Sequence, residues 1–243
     1  MKIRQGFIAD NGNVLMGIDY SQIELRVLAE LSKDENLIAA YKNNEDLHRV
    51  TAKKIFELED GEEVSREQRI IAKTINFSII YGKTAFGLSK ELGITQKEAT
   101  DYINRYFEQY PKVKDFEKSI IAYAEKNGYT ETYFGRRRII EGILSKNKNI
   151  KNQAERMAVN SVIQGTAAEI LKKVMIEIFK VIENKEDISL LLQVHDELIF
   201  EIKEEKVEEY RTTIENIMRN SVKFDDVVLD INTNIGKNWA ETK

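Results

Sequence analysis

Apolar positions along the chain alternate between two spacings. Val14 to Asp19 is a short apolar run that reads as a buried strand, and Ser21 to about Leu31 then follows helical spacing, with Ser21 and Glu24 placed as a capping box. Ser65 and Gln68 form a second such box, which predicts a long helix running to about Ile80 and stopping before Gly82. Further helices fit 95–108, 111–127 and 149–181. From 188 to 202, apolar β-formers flank His195-Asp196, which predicts two strands folded about that dipeptide. The expected fold class is α+β: a small antiparallel sheet made from sequence-distant strands, with helices packed on it. Pro111 is the only proline, and no internal repeat, low-complexity tract or flexible linker breaks the pattern.

Composition narrows the setting. A chain of 243 residues with 42% apolar content can build one large domain or two unequal ones. Cysteine is absent, which excludes disulfides and cysteine-held metals and fits a reducing compartment. No apolar run reaches the roughly 18 residues of a membrane span, and Met1-Lys2-Ile3-Arg4 lacks the apolar stretch of a secretory signal. The expectation is a soluble, cytoplasmic monomer with no membrane partner. The net charge of -4 argues on its face against nucleic acid, but the 37 basic residues are unevenly placed. They gather at 136–156, whereas acidic residues concentrate at 183–209 and 225–230, so an acidic chain can still present one basic face.

Three constellations carry chemistry. In Asp19-Tyr20-Ser21-Gln22-Ile23-Glu24-Leu25-Arg26, an aspartate ending a buried strand sets a carboxylate at the sheet rim, where a divalent cation can be held; the ordinary reading is a helix start with Glu24 completing the box of Ser21. In the helix after Ser65, Arg69, Lys73, Phe77 and Tyr81 recur every fourth residue. At about 100° per residue all four lie within an arc of roughly 120°. Two cations followed by two rings suit phosphates, sugar and base, against the ordinary alternative of core aromatics and solvated charges. In Gln193-Val194-His195-Asp196-Glu197, two adjacent carboxylates at a tight turn are costly to hold together without a cation, although polar hairpin turns are common. If the strands of Asp19 and Asp196 are neighbours, their carboxylates can share two Mg²⁺ ions for an in-line phosphoryl transfer. A fourth stripe, Arg156, Asn160 and Gln164, offers donors suited to minor-groove edges, or else is a plain polar helix face.

Taken together these residues resemble the family A DNA polymerases, the bacterial DNA polymerase I family, over essentially the whole chain. Residues 19–26 resemble the first polymerase motif, Arg69, Lys73, Asn76-Phe77 and Tyr81-Gly82 the fingers-helix motif, and 193–197 the third. The resemblance implies template-directed transfer of deoxynucleotides (dNTPs) onto primer–template DNA, in replication and repair, with two Mg²⁺ ions as cofactor. Asp19 and Asp196 would be metal-binding and catalytic, with the backbone carbonyl of Tyr20 completing one metal site and Glu197 a less essential carboxylate nearby. Arg69, Lys73 and His48 would contact the triphosphate, Lys73 also protonating pyrophosphate. Gln22 would lie in the nucleotide site, Glu24 and Phe77 would crowd the 2′ side of the sugar, and Tyr81 would stack near the template base. Arg156, Asn160, Gln164, Gln193 and His195 would line the nascent duplex, and Arg136, in Thr132-Tyr133-Phe134-Gly135-Arg136-Arg137, would touch the template.

The family fold implies a palm from residues 1–32 and 148–243 and a mainly α-helical fingers insertion at 33–147. In that family the thumb and the early palm precede this start, so the thumb is expected to be absent. Ser78 stands where the family usually has glycine. The alternative to an active polymerase core is a truncated, non-catalytic or weakly active nucleic-acid-binding fragment of one. A two-metal phosphohydrolase would have no use for the stripe at 69–81, and a single-subunit RNA polymerase should not carry Glu24 with Phe77.

Overall fold

The computed structural model describes residues 2–59 and 61–243. Its strands are β1 (Asn13–Tyr20), β2 (Tyr129–Glu131), β3 (Arg137–Ile139), β4 (Ile188–Val194), β5 (Glu197–Lys203) and β6 (Ile231–Gly236). Its α-helices are α1 (Ile23–Ser32), α2 (Glu35–Lys42), α3 (Leu47–Ile55), α4 (Arg66–Ile80), α5 (Ala85–Leu92), α6 (Gln96–Gln109), α7 (Pro111–Asn127), α8 (Lys148–Ile182) and α9 (Val207–Asn220). The chain divides into two compact units: Met1–Ile23 with Ala167–Phe224 and Val228–Lys243, and Glu24–Thr166 with Asp225–Val227.

The first unit is built on a four-stranded antiparallel sheet in the order β4-β5-β1-β6. β1 is central and buried from Val14 through Ile18, which explains its near-continuous apolar run. Its pairing with β5 aligns Met16 with Phe200 and Ile18 with Leu198, all buried. β4 is an edge strand, largely exposed, and its pairing with β5 slips by one residue between Leu190 and Leu192, leaving Leu191 as a bulge. Helix α9 packs on β5 and β6, burying Tyr210, Ile214 and Met218. The Tyr20 hydroxyl donates to the Met218 carbonyl at 2.6 Å, fastening the end of β1 to that helix.

The second unit is helical apart from the β2–β3 hairpin, and buried carboxylates fasten its helix ends. Asp34, 1% exposed, caps α2 by accepting from the backbone N–H of Asn36 and Leu37, and its other oxygen accepts from Lys112 N–H in the first turn of α7 at 3.0 Å. Glu30, also 1% exposed, accepts from the backbone N–H groups of Asp225, Asp226 and Val227 at 3.0–3.3 Å, which ties that segment to α1. The first-turn donors at Asp34 have no helical partner of their own, and the donors to Glu30 lie in a segment outside any helix or strand, so each carboxylate meets a backbone demand that secondary structure leaves open. The capping box at Ser65 and Gln68 forms as predicted, and a second, at Thr95 and Glu98, opens α6.

One expected boundary moves. Helix α1 starts at Ile23, because Gln22 takes φ 54°, a left-handed conformation that cannot be the first residue of a helix capped by Ser21. The Ser21 N–H donates instead to the Asp230 carbonyl at 2.8 Å, which keeps the chain on the sheet for one residue more.

Because one buried carboxylate caps two helices, Asp34→Ala is expected to cost about 2–3 kcal/mol of stability, more than a single cap is worth. Asp34→Asn keeps an acceptor oxygen and should cost less. Denaturant titration of the two variants checks the order; equal, negligible losses would show that the helix ends do not depend on Asp34.

Candidate active site

In the first unit, the strand register does most of the assembly. Asp19 lies opposite Glu197 on β5 and Asn232 on β6. The hairpin between β4 and β5 turns in two residues, His195 and Asp196, closed by the Val194–Glu197 pair. His195 adopts φ 56°, which is uncommon for a residue with a side chain, and Gln193 Nε2 donates to its carbonyl at 2.9 Å. Asp19, Asp196 and Glu197 thereby line one open cleft of about 650 Å³, rimmed by Arg4, Arg211 and Arg219.

The three carboxylates stand in different environments. Glu197 is buried and receives Arg4 Nη1 at 3.4 Å, while the Arg4 guanidinium lies 4.2 Å over the Trp239 ring. Its charge already has a partner. Asp19 is half-buried, with the Asn232 amide donating to it at 3.4 Å. Burial, and then the like charge of Asp196, raise its carboxyl above the usual range; the Asn232 bond and Lys243 only partly offset this. A divalent cation shared with Asp196 would relieve both effects, and the donors are the hard oxygens that Mg²⁺ takes. Among the described residues no group of three or more His, Cys, Asp or Glu stands ready to hold a metal. Mg²⁺ commonly uses one or two carboxylates and completes its shell with waters and substrate phosphates, so the pair fits that mode. The Tyr20 side chain is committed to Met218 and leaves only its backbone for such a role.

In the second unit, α4 carries the predicted stripe. Lys73 and Tyr81 are exposed, the latter at 40%, and Arg69 and Phe77 are half-buried, so the two rings are not core aromatics. Phe77 and Tyr81 stack with centroids 6.4 Å apart, and the His48 ring centroid lies 6.1 Å from that of Phe77, tilted by 45°. Arg69 Nε donates to Asp46 Oδ2 at 2.7 Å. Asp46 also N-caps α3 through the N–H groups of His48 and Arg49. Burial opposes ionisation of Asp46, but the Arg69 contact and these two N–H bonds outweigh it and hold the carboxyl below its usual range. His48 itself is 2% exposed, and its Nδ1 meets the Asn76 amide at 2.9 Å. No spacing pattern marks Asp46 as a site residue, although an aspartate just before a helical run is a capping signal.

The other stripe of this unit lies on α8. Gln164 is exposed, Arg156 and Asn160 are half-buried, and Asn160 Oδ1 is a buried oxygen with no hydrogen-bond partner among the described residues. The Arg156 stem packs on Gly82, at φ 59°, where a Cβ would come within 2.7 Å of Arg156 Cγ. The turn holding Arg136 docks beside Gln164: Tyr133 N–H donates to Thr166 Oγ1 at 3.0 Å, and a Cβ on Gly165 would stand 2.6 Å from the Thr132 methyl. Arg136 is exposed at the base of that turn, where its carbonyl accepts from the Thr132 N–H at 2.9 Å. Glu24, half-buried on α1, belongs to this unit, whereas Gln22, Gln193 and His195 belong to the first.

The family model for DNA polymerase family A matches residues 1–241, and the chain belongs to that family. The DNA polymerase I of Caldicellulosiruptor bescii is 44% identical over 242 residues, 99% of this chain and 28% of that protein. The thermostable DNA polymerase I of Thermus filiformis is 42% identical over 242 residues, all of this chain and 29% of its own length. The chain thus spans under a third of the curated relatives it matches. Among solved structures, the POL domain of Pol1 from M. smegmatis, in complex with DNA primer-template and dNTP, superposes with a TM-score of 0.93 at 37% identity, covering 99% of this chain and 42% of that one. The α+β architecture is that of a polymerase palm and fingers.

Burial depresses the His48 pKa from 6.5 to about 4; Asp46 opposes this, and Arg69 and Lys73 reinforce it. Between those values the unfolded chain binds a proton that the folded chain refuses, so stability is intact above about pH 6.5 and falls as pH drops toward 4. The loss should reach up to about 3 kcal/mol. Denaturant titrations at pH 7 and pH 4.5 check it, and His48→Gln should flatten the difference by that amount.

Proposed function

We propose that this chain carries the nucleotidyl-transfer site of a DNA-directed DNA polymerase, joining the α-phosphate of a dNTP to a primer 3′-OH. The observation that carries this reading is that Asp19 and Asp196, 177 positions apart by their numbers, line one cleft from adjoining strand ends. The M. smegmatis structure, captured with primer-template and dNTP, supports the same substrates here.

When bound by Asp19, Asp196 and the Tyr20 carbonyl, two Mg²⁺ ions would lower the pKa of the attacking hydroxyl and stabilise charge on the transferring phosphoryl group. In the reaction the 3′-hydroxyl loses its proton to water, and its oxygen bonds to the α-phosphorus as the bond to the bridging oxygen breaks, releasing pyrophosphate. Arg69, aimed by Asp46, and Lys73, on the exposed side of α4, neutralise the triphosphate, and Lys73 returns a proton to pyrophosphate. His48 hydrogen-bonds a phosphate oxygen. Phe77 and Glu24 leave no room for a 2′-hydroxyl, and Tyr81 stacks near the template base. Arg136, Arg156, Asn160, Gln164, Gln193 and His195 hold the duplex. Glu197, already paired with Arg4, would tune the field at bound metal ions. In this reading residues 1–32 and 148–243 act as palm and 33–147 as fingers.

Single-turnover incorporation with Mg²⁺ tests the reading. Asp19→Ala and Asp196→Ala should each lose several kcal/mol of transition-state stabilisation, roughly a thousandfold or more in rate, with primer–template affinity little changed. Glu197→Ala should lose less. Near-normal incorporation by Asp19→Ala would remove the proposal, and a wild-type chain that binds primer–template yet incorporates nothing would favour a binding fragment. In a separate competition assay, Glu24→Ala should raise ribonucleotide relative to deoxynucleotide incorporation; unchanged selectivity would return Glu24 to a packing role.

A further inference from the structure

The ring of His48 ends a chain of buried hydrogen bonds within the helical unit. Its Nδ1 lies 2.9 Å from Asn76 Nδ2, Thr51 Oγ1 lies 3.0 Å from Asn76 Oδ1, and the Tyr110 hydroxyl lies 3.1 Å from Thr51 Oγ1. His48, Thr51, Asn76 and Tyr110 are all buried, so each donor must find its acceptor inside the protein.

The far end sets the direction of the chain. Among the described residues Thr51 is the only hydrogen-bond partner of the Tyr110 hydroxyl, so this buried O–H donates to Thr51 Oγ1. Thr51 then donates to Asn76 Oδ1, which turns the amide nitrogen toward His48. That nitrogen can only donate, so Nδ1 of His48 must be the bare, accepting nitrogen. Reversing every bond would strand the phenolic proton in the interior.

We propose that Asn76 is a positioning residue which, oriented by Thr51 and Tyr110, fixes His48 as the neutral tautomer with its proton on Nε2. The ring then offers an anionic oxygen one directed N–H, neither a lone pair nor a full positive charge. Resting on the reading of the α4 stripe as a triphosphate site, this assigns the cationic work to Arg69 and Lys73 and leaves His48 a pH-independent donor. The charged groups facing the ring agree on balance: Arg69 and Lys73 from α4 oppose its protonation, Asp46 at the start of α3 favours it, and burial weighs against it most.

The test reads the ring directly. With ¹⁵N-histidine in the full chain, His195→Asn assigns the two histidines, and long-range ¹H–¹⁵N correlation reports the state of each ring nitrogen. Wild-type His48 should show a protonated Nε2 and a bare Nδ1, unchanged from pH 8 to pH 5.5. Asn76→Asp, close in shape, replaces the donor with an acceptor, and Nδ1 should become protonated with the ring titrating at higher pH. Thr51→Val, which frees the amide to turn, should give a mixture of tautomers and serves where Asn76→Asp does not fold. A protonated Nδ1 in the wild type, or an unchanged ring in both variants, overturns the proposal. No turnover is required, so a chain inactive in incorporation leaves this result standing, and a wrong tautomer leaves the roles of Asp19 and Asp196 untouched.

Discussion

Everything at the carboxylate cleft depends on one pairing: β1, near the start of the chain, lies antiparallel between β5 and β6, which follow it by more than 170 positions. The alternation of side chains along a strand makes register an all-or-none matter, since a slip of one residue would turn Asp19 to the opposite face. The buried contents of β1 and β5, with Met16 set against Phe200 and Ile18 against Leu198, pin that register. The apolar core of the sheet is therefore what brings two like charges close together at its rim. Chemistry at the end of a strand is held by hydrophobic packing along it.

The helical unit works by a different device. Several of its helices are short, and polar groups at their ends do much of the joining: Asp34 serves α2 and α7, Asp46 serves α3 and Arg69 of α4, and Glu30 gathers residues 225–227. An unpaired buried polar group costs more than a lost apolar contact, so such junctions specify geometry more sharply than packing alone. Asp46 is the clearest case. One carboxylate sets both the start of the helix carrying His48 and the orientation of Arg69, so two members of the proposed triphosphate site cannot shift independently.

Much of this was legible in the sequence, and the failures have reasons. The strand at Val14–Asp19, the hairpin about His195-Asp196 and the helix opened by Ser65 and Gln68 each carried a period together with a stop signal. The strand at Ile231–Gly236 did not, because Ile-Asn-Thr-Asn-Ile-Gly is an edge strand with polar residues at its centre. Helices α2, α3 and α5 span only eight or nine residues, too short for periodicity to declare itself, although Asp34, Asp46 and Thr84 each cap one. Helix α9 is an amphipathic segment whose few buried positions, Tyr210, Ile214 and Met218, are masked in the sequence by the acidic residues around them. Among the candidate site residues, those with recognisable chemistry can be proposed from the sequence, while the groups packed against them, Arg4, Asp46 and the Thr51–Asn76–Tyr110 chain, follow from contacts that spacing does not encode.

The central claim is that Asp19 and Asp196 together hold divalent metal beside the substrate phosphates. Fe²⁺ in place of Mg²⁺, with ascorbate and peroxide, generates hydroxyl radicals that cut the backbone within a few ångströms of the ion. In the presence of a dNTP and primer–template, cuts should fall at residues 19–21 and 195–197, fade with excess Mg²⁺ and vanish in Asp19→Asn. Cuts confined to other carboxylate clusters, such as residues 183–187 or 225–226, with none at either strand end, would contradict the account.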